Sequence, residues 1–430
     1  MARRTPNPCH GATLAKRSYP TAYYAIHTPW KASGKQLLTY CTAKGYRKLV
    51  LNKEGRPTFD EDALRKLRKR YPKDAIFQLL DRQRELQKAK GTYVEGLVPR
   101  ADGRYGEQFT HTPSTLRLAA RLLQLLPRVD SDDPDGIYNQ IRGLIVAGPS
   151  FIFHSSDFSG IEAVLVFYLA ADPAGLRLAG RVGGIHDFVA SHAIGQPADL
   201  AWSDSDLQAC FKTFQQENRE WKLSSGTAAP YKTIRTAAKR SIYLSFYNGG
   251  PHEMMRREPT LFPDLKTGKW YQDLFFSTFP SVRRWQASMV READDKGYVR
   301  TPDGFRQHFH DVYKNDWNPY TERWEQEYGP EANAAIAAKP QHLAGVFMLD
   351  AIGRCAEDEL LARSLRLTLH DELFCECLEA EVDEVGRRLK AVMEQPMRDL
   401  PLPPEWGMWD HLSIRVEGKQ GPRWSEMKAL

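Results

Sequence analysis

The chain has 430 residues, of which 42% are apolar, 27% charged and 11% aromatic. That composition excludes a disordered or collagen-like protein and leaves length for two or three subdomains around a large core. The formal net charge of +6 permits a polyanionic partner, and equally an ordinary soluble surface. No apolar run approaches the roughly 20 residues of a membrane helix, and the basic N-terminus lacks the apolar stretch of a signal peptide. The six cysteines are scattered with no CxxC spacing, so zinc is not expected. Reduced thiols in a cytoplasm-like compartment are.

Residues 1–50 mix Pro, Gly and aromatics and show no period. From Asp60 to Tyr93 the pattern predicts two helices broken at Tyr71-Pro72. The first places Leu64 and Leu67 ahead of Arg68-Lys69-Arg70; the second carries Ile76, Leu79 and Leu80 beside Arg82, Arg84, Lys88 and Lys90. Such basic faces are either solvated or track a phosphate backbone. Next, Arg117, Arg121 and Arg128 are interleaved with apolar residues from Thr115 onward, and an acidic loop spans Asp130 to Asp135.

Phe151-Ile152-Phe153 predicts a buried strand, and the uncharged run Ala163 to Ala171 predicts a helix inside a core. Between them lies Ser155-Ser156-Asp157-Phe158-Ser159-Gly160-Ile161-Glu162. A carboxylate at a strand mouth with another on the first turn of the next helix can hold a divalent metal. Asp there also serves as a turn former or helix cap.

His186 and a Ser/Asp-rich turn near Ser203 to Asp206 follow. From Tyr231 to Gly250 the residues Arg235, Lys239, Tyr243 and Tyr247 recur every fourth position, which puts them on one slowly drifting helix face. Like charges spaced this way cost a few tenths of a kcal/mol in an isolated helix. Gripping a polyphosphate would explain them; so would a solvated face with its aromatics turned inward. No GxxxxGK[ST] is present, so a P-loop site is excluded.

Leu365 to Leu369 alternates, breaks at His370-Asp371-Glu372 and resumes as Leu373 to Leu378, which predicts a hairpin. Its turn has no glycine, so turn chemistry explains it poorly. Asp157 and Asp371 at two strand ends could together hold two divalent ions, and Mg²⁺ fits oxygen ligands of this kind.

Taken together, the segments Asp157 to Glu162, Arg235…Lys239…Tyr243…Tyr247 and His370-Asp371-Glu372 resemble, in order and separation, the first palm motif, fingers helix and last palm motif of family A DNA polymerases. Lys90 to Tyr93 is similar to the end of the family's thumb. Thr115 to Arg128 resembles a shortened primer-template segment of phage-type members, and Ala334 to Gln341 the helix before the last motif. The resemblance implies an α+β, right-hand fold with an antiparallel palm sheet and helical fingers and thumb. The expected divisions are thumb 1–110, first part of the palm 111–190, fingers 191–330 and second part of the palm 331–430.

The implied activity is template-directed addition of deoxynucleotides to a primer 3′-hydroxyl by a monomer, with two Mg²⁺ ions, or Mn²⁺ in their place. Primer-template DNA and deoxynucleoside triphosphates are the implied partners, without a membrane, in the cytoplasm of a bacterial or phage-infected cell. Asp157 and Asp371 would bind metal, with Glu372 in support. Arg235, Lys239 and His186 would hold the triphosphate. Tyr243 would pack on the incoming sugar and base, and Tyr247 would sit at the templating position. Glu162 would crowd the 2′ position, and Arg117, Arg121, Gln124, Gln341 and His370 would contact primer or template.

The chain departs from the family pattern at Leu116, where Gly is usual, at Gly160, Val164 and Ala337. The resemblance leaves no length ahead of the thumb for a 3′–5′ exonuclease, and none is expected. A single-subunit RNA polymerase shares the aspartates and the cationic helix, but Glu162 and Glu372 argue against it. A noncatalytic nucleic-acid-binding relative is the other alternative.

Overall fold

The computed structural model describes residues 32–430 other than 53, 111–112, 128–135, 181–183, 200, 217–219, 224–227, 260, 319–320 and 409. Arg128 and the acidic loop at Asp130 to Asp135 therefore lie outside the described residues, as does most of the unpatterned N-terminal stretch. The chain divides into two compact units, residues 1–103 and 104–430. Among the described residues no helix is long and apolar enough to cross a membrane.

The first unit contains helices α1 (Gly34–Ala43), α2 (Glu61–Arg70) and α3 (Ile76–Lys88). Asp60 caps α2 by accepting from the amide of Ala63 at 2.8 Å, satisfying a donor that the first helical turn leaves open. Leu64 and Leu67 pack with Phe77, Leu80, Leu37 and Cys41 in a small core. Leu79, expected among the apolar contacts, is instead 63% exposed, and Phe77 fills the core in its place. The break between α2 and α3 is held by Asp74, which accepts from the hydroxyls of Tyr40 at 2.8 Å and Tyr46 at 2.7 Å. Tyr46 in turn stacks on Tyr71 at 3.8 Å.

The second unit is built on strand β1 (Phe151–Phe158), which is longer than its apolar start predicts because polar Ser155, Ser156 and Asp157 continue it. Helix α4 (Ile161–Leu169) follows; apart from Glu162 in its first turn it is uncharged, and Ile161 and Ala163 to Phe167 are buried. Then come α5 (Gly184–Ala193), α6 (Tyr231–Phe246), α7 (Leu265–Thr278) and α8 (Pro280–Lys296). A hairpin of β2 (Tyr313–Asn318) and β3 (Arg323–Tyr328) pairs only with itself and joins Trp317 to Trp324 across the strands, with ring centroids 5.7 Å apart. Cross-strand aromatic pairs of this kind stabilise ribbons that lack a third strand.

The long helix α9 (Ala332–Glu357) leads to β4 (Leu365–Leu369), β5 (Glu372–Leu378), α10 (Val382–Met393), β6 (Val416–Gly421) and β7 (Lys428–Ala429). The five strands β4-β5-β1-β6-β7 form one antiparallel sheet with β1 at its centre. Ile152, His154, Ser156 and Phe158 point to the face that packs on helices. There Phe158 meets Phe347 of α9 edge-on at 5.8 Å, and a Cβ at Gly386 of α10 would come within 2.6 Å of the His154 ring. Alternation sends Phe153, Ser155 and Asp157 to the other face.

β6 escapes a pattern search because glycines at 418 and 421 interrupt it. Glycine is required at 421, where a Cβ would lie 2.6 Å from the carbonyl oxygen of Glu426; at 418 a Cβ would only crowd the Leu430 side chain, at 3.2 Å.

Candidate active site

β1 delivers Asp157 to the end of the central strand, and its two neighbours each bring a carboxylate alongside. Glu372 of β5 and Glu417 of β6 are both in register with Asp157. Directly opposed residues point to the same face, with Cβ atoms roughly 5 Å apart. Three acidic residues in a row repel one another, although their side chains do not converge on a single point. Part of this charge is already balanced, since the Ser159 hydroxyl donates to Glu417 at 3.0 Å and Arg415 stands 3.6 Å from it.

Asp371 is brought to the same place by the hairpin turn. The backbone amide of Phe158 donates to its carbonyl at 3.0 Å. The turn is tighter than the sequence predicts: β5 begins at Glu372, which pairs with Leu369, so only His370 and Asp371 connect the strands. His370 adopts a φ of 59°, the left-handed region that two-residue hairpins normally fill with glycine. Histidine is among the few other residues that enter it with any frequency. Asp157, His370, Asp371, Glu372 and Gln124 all line one cavity of 370 Å³, together with Lys419.

Arg117 ties this cavity to α4. It donates to Glu162 at 3.1 Å and lies 3.8 Å from Asp371. Its segment is pressed against α9 at Gly345, where a Cβ would come within 2.8 Å of the carbonyl oxygen of Thr115. Gln341 lies one turn earlier on that helix face. Leu116 takes a φ of 57°, a conformation that glycine adopts without steric cost. Gly160 likewise takes a φ of 65° as it turns the chain from β1 into α4. Val164 is buried in the core.

Gln124 lines the cavity, but its amide is occupied within the protein. It accepts from the Ala120 amide at 2.8 Å and donates to the carbonyls of Leu118 and Thr368 at 3.1 and 3.2 Å. The imidazole of His370 approaches the Gln124 carbonyl at 3.1 Å. Arg121 is exposed and Gln341 half-buried; neither lines the cavity.

The cationic helix α6 is amphipathic as its spacing predicts, with Ile234, Ala238, Ile242 and Phe246 buried. Tyr243 is half-buried, its ring 5.8 Å from the ring of His186. The His186 imidazole is driven down to about 3, chiefly by burial and then by the charges of Lys239 and Arg235. It is neutral at pH 7, and its Nε2 is buried without a partner. Tyr247 at the end of α6 has its hydroxyl buried without a partner. Burial, followed by the Glu162 carboxylate, holds that phenol well above the usual tyrosine range.

Several residues at these places carried no sequence signal. Glu417 and Lys419 lie on the glycine-interrupted β6. Arg142 sits over the Trp424 ring at 4.1 Å beside the cavity. Asp187, wholly buried, binds the Nε of Arg235. A lone carboxylate next to His186, ahead of the apolar Phe188-Val189-Ala190, was the one available clue to it.

Residues 219–426 match the model of DNA polymerase family A. The chain is 25% identical over 361 residues to the thermostable DNA polymerase I of Thermus filiformis, covering 83% of this chain and 38% of the relative. It is 25% identical over 391 residues to DNA polymerase I of Chloroflexus aurantiacus, covering 90% of this chain and 36% of the relative. The chain thus spans little more than a third of the curated relatives it matches. In three dimensions it is similar to the POL domain of Pol1 from M. smegmatis, solved in complex with DNA primer-template and dNTP. The TM-score is 0.67 and the identity 24%, over 91% of this chain and 61% of that one.

Proposed function

We propose that this chain, whose residues 219–426 match the model of DNA polymerase family A, is a template-directed DNA polymerase that extends a primer 3′-hydroxyl with deoxynucleotides. The observation that carries this reading is the meeting of Asp157 and Asp371 in one cavity, from positions more than two hundred residues apart. In hand terms, residues 1–110 are read as thumb, 111–190 and 331–430 as palm, and 191–330 as fingers. The reading places a monomer in the cytoplasm.

Family A polymerases use divalent metal ions. The residues here suit Mg²⁺. Asp157 and Asp371 offer hard oxygen donors, with Glu372 beside them. Among the described residues no three His, Cys, Asp or Glu side chains gather to hold a metal by themselves. Mg²⁺ needs no more than one or two carboxylates, because water and substrate phosphates complete its shell. A bound pair would supply Lewis acidity to the attacking hydroxyl and the departing pyrophosphate.

The chain's own groups do the rest. Arg235 and Lys239 offset charge on the triphosphate, and neutral His186 offers a hydrogen bond without adding charge. Tyr243 packs on the incoming sugar and base, and Tyr247 occupies the templating position. Glu162, oriented by Arg117, crowds the 2′ position of the sugar. Arg117, Arg121, Gln124, Gln341 and His370 meet primer or template, and the Gln124 amide also ties the segment of Arg117 and Arg121 to β4.

Primer extension on a defined template with Mg²⁺ tests the reading, with deoxy- and ribonucleotides supplied separately. Extension with deoxynucleotides that stops on chelation is expected. Extension with ribonucleotides alone would favour an RNA polymerase, and none with either would overturn the proposal.

A further inference from the structure

Asp187 does not belong to any of the three segments that compose the candidate site, yet it is the most thoroughly buried carboxylate touching it, with no solvent exposure. We propose that Asp187 is a positioning residue that aims the Arg235 guanidinium at the triphosphate. This inference rests on the polymerase reading above.

The geometry is asymmetric in an informative way. Both oxygens of Asp187 lie 2.9 Å from a single nitrogen, the Nε of Arg235. A carboxylate that merely neutralises an arginine more often takes the two-nitrogen fork. Here the Nε–H alone is used, and the four N–H donors of the two terminal nitrogens remain. Among the described residues those donors have no protein acceptor, and the Arg235 side chain is 38% exposed. Its open edge lies in the same surroundings as Lys239 and the imidazole of His186, whose ionisation both cations influence.

An ionised carboxylate away from water is costly unless it is paired and its remaining lone pairs are bonded. Asp187 is provided for. The Tyr231 hydroxyl donates to Oδ1 at 3.0 Å, and the Gln215 amide approaches the same oxygen at 3.5 Å. Tyr231 begins α6 and Asp187 lies on α5, so this knot fixes the helix that carries Arg235 and the side chain itself. A long, flexible cation held at Nε loses less conformational freedom when a phosphate arrives.

A structural tie between α5 and α6 would show the same contacts, so the test must separate the two roles. Equilibrium affinity for a deoxynucleoside triphosphate is measured on the full chain for wild type, Asp187→Asn, Arg235→Ala and the double variant. Primer-template affinity and thermal midpoint are followed alongside. Asp187→Asn keeps the volume and removes the charge. It should weaken triphosphate binding about tenfold, the scale of one charge-assisted hydrogen bond, and leave primer-template affinity unchanged.

In the Arg235→Ala background the same substitution should do nothing further, because its route to the nucleotide is gone. Tyr231→Phe, which spares the ion pair, should give a smaller loss of the same kind. Multiplying effects in the double variant, or triphosphate affinity that survives Asp187→Asn, would overturn the proposal. A wild-type chain that binds triphosphate but extends no primer would count against the polymerase reading alone, and the affinity cycle would still decide the role of Asp187. A wild type that binds no triphosphate would end both.

Discussion

The backbone amide of Phe158 donates to the carbonyl of Asp371 at 3.0 Å, and Glu372, the next residue, pairs with Asp157 across the strands. The backbones of residues 157 and 371, from opposite halves of the chain, are thereby fixed at one end of a five-stranded sheet by hydrogen bonds. A site whose backbone is set by the ladder itself needs only side-chain rotation to meet a ligand, which favours the preorganisation that electrostatic stabilisation of a reaction requires.

Tyr243 stands half-buried on α6 with its ring 5.8 Å from His186. A phenol at this position resembles family members that tolerate a sugar without its 3′-hydroxyl. Tyr243→Phe should therefore make the enzyme reject dideoxynucleotides while deoxynucleotide incorporation persists. Chain-termination assays read this directly, and unchanged dideoxy termination would remove Tyr243 from the sugar's surroundings.

Leu116 holds a φ of 57° because the chain on both sides of it is pinned against Gly345 of α9. An L-residue in that conformation costs about 1–2 kcal/mol. Glycine removes the strain but adds freedom to the unfolded chain and gives up some apolar contact. Leu116→Gly should raise stability by about 1 kcal/mol or less, seen as a higher denaturant midpoint. A lower midpoint would mean that the Leu116 side chain matters more than its backbone strain.

His154 lies buried in β1 between Gly386 and Gly418, and burial brings its imidazole down to about 4, opposed by Asp383. Its folded form therefore binds a proton less readily than its unfolded form, whose ordinary value is 6.5. Above pH 6.5 both states are neutral and nothing is lost. As pH falls from 6.5 toward 4 the unfolded state takes up a proton that the fold refuses, and stability declines. His186, lowered for the same principal reason, adds to the slope in the same direction. Each tenfold difference in proton affinity is worth about 1.4 kcal/mol. Denaturation at pH 7 and pH 4.5 should show His154→Gln losing less stability on acidification than the parent chain. An equal loss would assign the acid sensitivity elsewhere.

What could be read in advance was what local chemistry determines. The uncharged run from Ala163 to Ala171 reads as a buried helix, the fourfold spacing of Arg235 to Tyr247 as a helix face, and the alternation around His370-Asp371 as a hairpin. What could not be read depended on partners distant in sequence. β6 is a strand because β1 offers it an edge, and close packing forces glycine at 421, which with Gly418 erases its apolar alternation. Glu372 looks like a turn residue until Leu369 and Asp157 claim it for the ladder. Leu79 has the period of a core residue, but Phe77 reaches the core first. Asp187 becomes meaningful only when α5 and α6 pack together, because its partner lies 48 residues away.

The most direct measurement compares primer extension with Mg²⁺ by the parent chain and by Asp371→Ala, with primer-template affinity followed in parallel. The loss of one member of the pair should leave DNA affinity unchanged and lower extension at least about a hundredfold, the scale set by removing a preorganised electrostatic group. Extension by Asp371→Ala at the parent rate would show that the carboxylates at 157 and 371 do not act together in the reaction.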